Sequence, residues 1–170
     1  MSPLRSSGSS RRKDACAEIK ISVQNLQAKI PFSPGKIRSL VRAVLLSFRA
    51  PGPGQITVCL VDDSVIAGLH ARYLNARGPT DVMAFALSGQ KKGQPLVADI
   101  VVSVDTAVRQ AAQFGTSFGY EVLLYVVHGM LHVLGHNDAT KLQQERMQKK
   151  CEYFLRRQGV KKCLSIKPKL

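Results

Sequence analysis

Short runs of alternating apolar and polar residues predict four β-strands along this chain. The run Ile19-Lys20-Ile21-Ser22-Val23-Gln24 has the period of two that a half-buried strand shows. Three further short apolar runs are bounded by polar or turn-forming residues and are predicted to be strands as well. The predicted strands cover residues 19–24, 55–61, 82–86 and 97–102.

Longer segments with apolar residues at helical spacing predict the helices. The first begins at Pro34, because Ser33 suits the N-cap and proline suits the first helical position, and it ends before Pro51. The run Thr140-Lys141-Leu142-Gln143 matches a capping box and should open the last helix. Another helix is predicted to open at the capping segment 62–64 and to pass through Ile66, Leu69 and Tyr73, and two more cover residues 105–114 and about 120–134.

Strands and helices are interleaved without strict alternation, which predicts a single α+β domain. We expect a small mixed sheet of about four strands packed with about five helices. Residues 18–157 form the predicted folded domain. Residues 1–17, rich in serine and arginine, are expected to be a disordered basic extension, and residues 158–170 a basic tail.

The charge of the chain points to an anionic partner. Lysine and arginine number 25 against 11 acidic residues, a net charge of +14, so nucleic acid is the first candidate. A solvated basic surface or a patch facing a membrane is the alternative. Tryptophan is absent and aromatic residues make up 6% of the chain, so phosphate contacts should supply most of any affinity for RNA or DNA.

The cysteines and the apolar runs favour a cytoplasmic protein. The four cysteines include no C-x-x-C pair, which indicates neither a disulfide framework nor a cysteine-based zinc site. No apolar run reaches the roughly 20 residues that a membrane span needs. The Ser- and Arg-rich start leaves an organellar location as the alternative.

Three of the four histidines lie close together in the run His128-Gly129-Met130-Leu131-His132-Val133-Leu134-Gly135-His136-Asn137-Asp138. Residues four apart on a helix share one face, so the imidazoles of His128 and His132 should point at the same spot. This is how a helix presents two ligands to a metal ion. A sharp turn at Gly135 would let Asp138, or alternatively His136, supply a third ligand and leave one position open, as in catalytic zinc sites.

The same run argues against a metalloprotease. In the H-E-x-x-H proteases the glutamate beside the first histidine is the general base. Here that position is Gly129, which cannot accept a proton.

For several other polar residues the sequence gives a less specific indication of their role. Thr80 and Asp81 precede a strand and suit a turn, whereas Asp99 stands inside an apolar strand, where a buried carboxylate should find a hydrogen-bond donor. Arg72 and Arg77 flank the preceding loop; either could clamp a phosphate or be a solvated surface charge.

The sequence resembles the YbeY family of zinc-dependent endoribonucleases. The family motif H-G-x-L-H-L-x-G-Y-D-H stands here as H-G-M-L-H-V-L-G-H-N-D, and P-T-D-V-L-S-F stands as the seven residues from Pro79 to Phe85. The family's G-D-I-x-I-S strand is similar to the segment from Ala98 to Ser103. The chain departs from the family at Leu74, where an arginine is frequent, so a role in gripping RNA would pass to Arg72 or Arg77.

The resemblance implies that 18–157 is a catalytic domain with one zinc per chain, held by His128, His132 and Asp138. It implies cleavage of single-stranded RNA during ribosomal RNA processing, with the ribosome or its small subunit as partner and a further protein delivering the substrate. No general base is evident beyond the metal-bound water. Two alternatives stay open: a ribosome-associated RNA-binding factor whose zinc only stabilises the fold, and a metal-dependent hydrolase of small or protein substrates.

Overall fold

A computed structural model describes residues 19–50, 53–88 and 94–162 of the chain. Within these residues lie four strands and five helices, which confirms the predicted α+β class and the single domain. The strands are β1 (Ile19–Asn25), β2 (Gly54–Val61), β3 (Val82–Ser88) and β4 (Leu96–Ser103). The helices are α1 (Pro34–Ser47), α2 (Asp63–Leu74), α3 (Val104–Phe114), α4 (Phe118–Val133) and α5 (Lys141–Arg157).

The sheet is mixed and has the strand order β1-β2-β4-β3. β1, β2 and β4 are parallel, whereas β3 runs antiparallel to β4 at the edge of the sheet. Gly54 opens β2 where a side chain would not fit, since an added Cβ would overlap the carbonyl oxygen of Leu96.

The main core lies between one face of the sheet and helices α1 and α4. Ala98, Ile100 and Val102 of β4 alternate onto this face and are fully buried. Helix α4 packs on β3 and β4 and is flanked by α1, α3 and α5, so it lies at the centre of the domain. This position explains why α4 is apolar around most of its circumference.

In the described part of the chain, α2 covers the opposite face, with a small cluster of Val61, Ile66, Met83 and Val101. Asp99 points to this face and is only half-buried. The expectation that Asp99 is buried is therefore wrong, because α2 leaves this position partly open to water.

The helix ends follow local chemistry with one exception. Thr140 and Gln143 form the predicted capping box at the start of α5. Ser33 stands at the N-cap of α1, but its side chain makes no capping hydrogen bond. Among the described residues no helix combines the length and apolarity needed to cross a membrane. The predicted extension at 1–17 and the tail beyond residue 162 lie outside the described residues.

Candidate metal centre

His128 and His132 stand on one face of α4, as their spacing predicts. Their Nε2 atoms are 3.0 Å apart, and their rings are nearly perpendicular at 74°. About a third of each side chain is exposed, 28% for His128 and 33% for His132, so the pair opens to solvent from a buried helix. Burial, and then the neighbouring His132, lowers the pKa of His128, which favours the neutral imidazole that binds metals.

The chain reverses direction directly after α4. Gly135 has a φ of +85°, its N–H donates to the carbonyl of His132, and the N–H of His136 donates to that of Leu131. These two bonds form a Schellman motif, which requires the left-handed conformation that glycine adopts most readily. The predicted sharp turn at Gly135 is confirmed.

This reversal brings Asp138 back to the two histidines. Its Oδ2 lies 3.4 Å from Nε2 of His128 and 3.6 Å from Nε2 of His132. The side chain of Asn137 accepts hydrogen bonds from the N–H groups of Asp138 and Ala139, which fixes the turn. The three candidate ligand atoms all lie within 4.8 Å of one another.

The ring of His132 is oriented by the same turn. Its Nδ1 lies 3.1 Å from the carbonyl oxygen of His136, so the Nδ1–H group donates there and Nε2 keeps its lone pair. Two imidazole nitrogens and one carboxylate oxygen are a donor set that suits zinc and other divalent transition metals. The residues present therefore fit a metal ion of this class.

The His136 ring turns away from this group. It packs edge-to-face on Phe48 with ring centroids 5.2 Å apart, and Nζ of Lys150 lies 3.2 Å from its Nε2. Burial and then the charge of Lys150 lower the pKa of His136. Of the two third ligands left open by the sequence, the geometry favours Asp138, while His136 contributes its backbone carbonyl.

Gly129 has a packing role in place of the catalytic glutamate of the proteases. A Cβ at this position would lie 2.8 Å from Ile100 and 3.1 Å from Val82. The glycine therefore lets α4 approach the sheet closely at the level of the two histidines.

Helix α5 forms the other side of the site. Gln144, Gln148 and Lys149 face His128 and Asp138 across a cavity of about 530 Å³, which we call the metal-side cavity. Arg146, Lys149 and Lys150 line a neighbouring cavity of about 490 Å³ beside His136. No role for these cations was predicted, although their spacing of three and four residues along a helix indicates that they share one face.

The two candidate RNA-binding arginines lie outside this group. Arg72, near the end of α2, and Arg77, in the following loop, are both exposed, and the Arg72 guanidinium stacks over Tyr73 at 5.6 Å. Asp81, at the end of the same loop, accepts hydrogen bonds from Thr80 and from the N–H of Val82, which hold the backbone where β3 begins.

The fold and this site define a small α+β protein with a candidate metal centre on a central helix. The family model described as Endoribonuclease YbeY matches residues 22–159. The chain is 34% identical to the endoribonuclease YbeY of Desulforamulus reducens, over 81% of this chain and 96% of that protein. It is 32% identical to that of Moorella thermoacetica, over 85% of this chain and all of that protein.

A solved structure has the same fold. The solution structure of a Thermotoga maritima protein superposes with a TM-score of 0.51 at 23% identity, covering 82% of this chain and 90% of that one. Together with the sequence matches, these findings show that the chain belongs to the Endoribonuclease YbeY family.

Proposed function

We propose that this protein is a zinc-dependent endoribonuclease that cleaves single-stranded RNA in ribosomal RNA processing. The proposal rests on one observation above all: the ligand atoms of His128, His132 and Asp138 converge within 4.8 Å. The net charge of +14 and the relatives named endoribonucleases support RNA as the substrate.

One zinc per chain would be held by His128, His132 and Asp138, with a fourth position open. Bound there, zinc lowers the pKa of a water molecule and stabilises negative charge on phosphoryl oxygens. The chain's own contribution is to fix the ligands: the His136 carbonyl orients His132, and the Asn137 side chain holds the turn that carries Asp138.

The RNA backbone would lie along α5. Lys149 lines the metal-side cavity, and Arg146 and Lys150 line the neighbouring cavity beside His136, so these cations can contact phosphates near the cleaved bond. Arg72 and Arg77 would extend the contact from the loop that ends at Asp81. Each phosphate neutralised in this way should make binding weaker as salt rises.

Cleavage assays with matched variants test the proposal. A single-stranded ribosomal RNA fragment and a duplex of the same sequence are incubated with the wild type, His132→Ala and His136→Ala. We expect the wild type and His136→Ala to cut the single strand, and His132→Ala to leave it intact. His136→Ala is the matched control, since it removes the same side chain from the same motif but outside the ligand group.

The same cleavage assay distinguishes a metal-centred ribonuclease from a contaminating nuclease and from a non-catalytic RNA-binding factor. Equal cutting by His132→Ala and the wild type would reveal a contaminating nuclease and contradict a metal-centred ribonuclease. No cutting by any protein, with RNA binding that is lost with the metal, would favour a non-catalytic RNA-binding factor.

We further propose that the substrate is a ribosomal RNA precursor in the cytoplasm, met on the ribosome or its small subunit with the help of a delivering protein. The basic surface suits particles rich in RNA. Sedimentation of a tagged chain through a sucrose gradient should place it with the small subunit at low salt and release it at high salt. Sedimentation as a free protein at low salt would contradict the association.

A further inference from the structure

A second cavity adjoins the candidate metal centre and is not explained by metal binding. It measures about 770 Å³ and lies between α3, α4 and the loop before β3. We call it the Glu121 cavity after the carboxylate in its wall. Gln148 lines both this cavity and the metal-side cavity, so the two are neighbours.

The spacing along α4 sets the distance between the cavity and the metal centre. Glu121, Tyr125, His128 and His132 follow one another at intervals of four, three and four, which places them on one face of the helix. Glu121 and His128 are separated by about 10 Å at 1.5 Å per residue. A strand of RNA passing the metal centre would therefore present a neighbouring nucleotide to the cavity.

The wall of the cavity contains buried polar groups with hydrogen-bonding capacity to spare. Glu121 is only 3% exposed, and one carboxylate oxygen accepts a hydrogen bond from the Thr116 hydroxyl. A carboxylate offers about four lone-pair sites, so it can accept further N–H donors.

The hydroxyl of Tyr120 is the second such group. The residue is 3% exposed, and its Oη has no hydrogen-bond partner within the described part of the chain. A buried hydroxyl without a partner is costly, which suggests that a ligand satisfies it. Tyr120 lines the Glu121 cavity and also a cavity of about 550 Å³ beside α1, and burial, followed by the charges of Glu152 and Glu121, raises the pKa of its hydroxyl to about 12.

The mouth of the cavity has the features of a site for a nucleotide. Phe114 lines it and is 64% exposed, a large aromatic surface without cover. Arg109 and Lys162 also line the cavity; each is more than half exposed and ion-paired, Arg109 with Asp63 and Lys162 with Glu152, so a phosphate backbone would contact them in exchange for these exposed pairs. An aromatic face for stacking and cations for the backbone are the usual means of holding single-stranded RNA.

We propose that the Glu121 cavity binds one nucleobase beside the cleaved phosphate and that it prefers guanine; this inference rests on the proposed ribonuclease function. Guanine presents two adjacent N–H donors on its Watson–Crick edge, which match the carboxylate of Glu121. Uracil presents a single N–H between two carbonyl oxygens, which the carboxylate repels. Phe114 stacks on the base, and the Tyr120 hydroxyl completes the contact with its edge.

Binding of short RNAs tests the proposal independently of cleavage. Fluorescently labelled oligouridine with 2′-fluoro sugars carries a single central guanine, inosine or uracil, and its intactness is checked on a denaturing gel. Binding to the zinc-loaded full chain should be about tenfold tighter for guanine than for uracil. Inosine, which lacks the exocyclic amino group, should fall between them.

Two variants locate the preference. Glu121→Gln keeps the shape but loses the carboxylate, so guanine and uracil should bind equally. Tyr120→Phe removes only the unpaired hydroxyl; it should weaken guanine binding a few-fold without lowering the melting temperature. Tyr153→Phe, which alters an exposed tyrosine of α5, is the matched control and should change neither guanine binding nor the melting temperature.

The outcomes separate this inference from the proposed function. No guanine preference in the wild type, or a preference that survives both Glu121→Gln and Tyr120→Phe, would overturn the base-binding site. A preference that depends on these residues, found in a protein that cuts no RNA, would support the cavity and contradict the ribonuclease. If Glu121→Gln fails to fold, Tyr120→Phe alone decides the matter.

Discussion

Nδ1 of His132 lies 3.1 Å from the backbone carbonyl oxygen of His136, within the turn that follows α4. The turn therefore fixes which ring nitrogen of His132 carries the proton. The same turn places Asp138, three residues after Gly135, beside His132. A single local structure thus couples the end of the helix to the geometry of the candidate metal centre.

The assignment of ligands predicts which variants lose metal. Asp138→Ala and His132→Ala should each bind zinc at least tenfold more weakly than the wild type, because a direct ligand is lost. His136→Ala should bind about one equivalent, because its carbonyl remains and its ring packs on Phe48 instead. Zinc competition titrations on the purified variants measure this.

A result in which His136→Ala loses zinc and Asp138→Ala retains it would reverse the assignment of the third ligand.

The close approach of α4 to the sheet predicts a cost for any side chain at Gly129. Gly129→Ala should lower the free energy of unfolding by about 1–3 kcal/mol, since the methyl group overpacks against Ile100 and Val82. Urea unfolding measures the change.

Gly68→Ala is the matched control at a glycine where an added methyl group meets no neighbouring atoms. Gly68 is exposed on α2 with no atom within 4 Å of an added Cβ, so alanine there should stabilise the protein by about 0.5–1 kcal/mol. Equal effects of the two substitutions would contradict the packing account.

The capping box of α5 predicts a second change in stability. Thr140→Ala removes the side-chain acceptor for the N–H of Gln143 and should cost about 1 kcal/mol of unfolding free energy. Thr140→Ser, which keeps the hydroxyl, should stay close to the wild type. A loss with serine as large as that with alanine would show that the hydroxyl is not responsible.

Acid should weaken the junction between α2 and α3. The backbone N–H of Asp63, and then Lys29, lower the pKa of Asp105, so its folded-state pKa lies below the unfolded value of about 3.9. Its contribution is present above that pH and is lost as the pH falls through the folded-state pKa. Asp105→Asn should lower the urea midpoint at pH 7 and flatten its fall towards about pH 3.

If the urea midpoint of Asp105→Asn falls with acid as steeply as that of the wild type, Asp105 does not contribute to the loss of stability at low pH.

The grouping of His128, His132 and Asp138 could be predicted because the three residues lie close together in the sequence. His128 and His132 are one helical turn apart, and Gly135 indicates a turn after the helix that brings Asp138 back to them. The spacing of these residues therefore predicts most of the geometry of the candidate ligands. The choice between Asp138 and His136 could not be made this way, because the orientation of His136 depends on Phe48, a residue of the segment after α1.

Features formed by residues far apart in the chain could not be predicted from the sequence. The bond between Lys29 and Asp105 joins residues 76 positions apart, and no local pattern indicates it. Asp99 was misjudged because the exposure of its face depends on how much of the sheet α2 covers. The Glu121 cavity likewise arises only when α3, α4 and α5 pack together.

Titration of zinc into metal-free protein, with cleavage of a single-stranded ribosomal RNA fragment as the readout, tests the central claim most directly. The account predicts no cleavage without metal and a rate that rises to a plateau at about one zinc per chain in the wild type. His132→Ala should stay inactive at the same zinc concentrations. Cleavage that is independent of zinc, or that His132→Ala performs equally well, would contradict a ribonuclease centred on His128, His132 and Asp138.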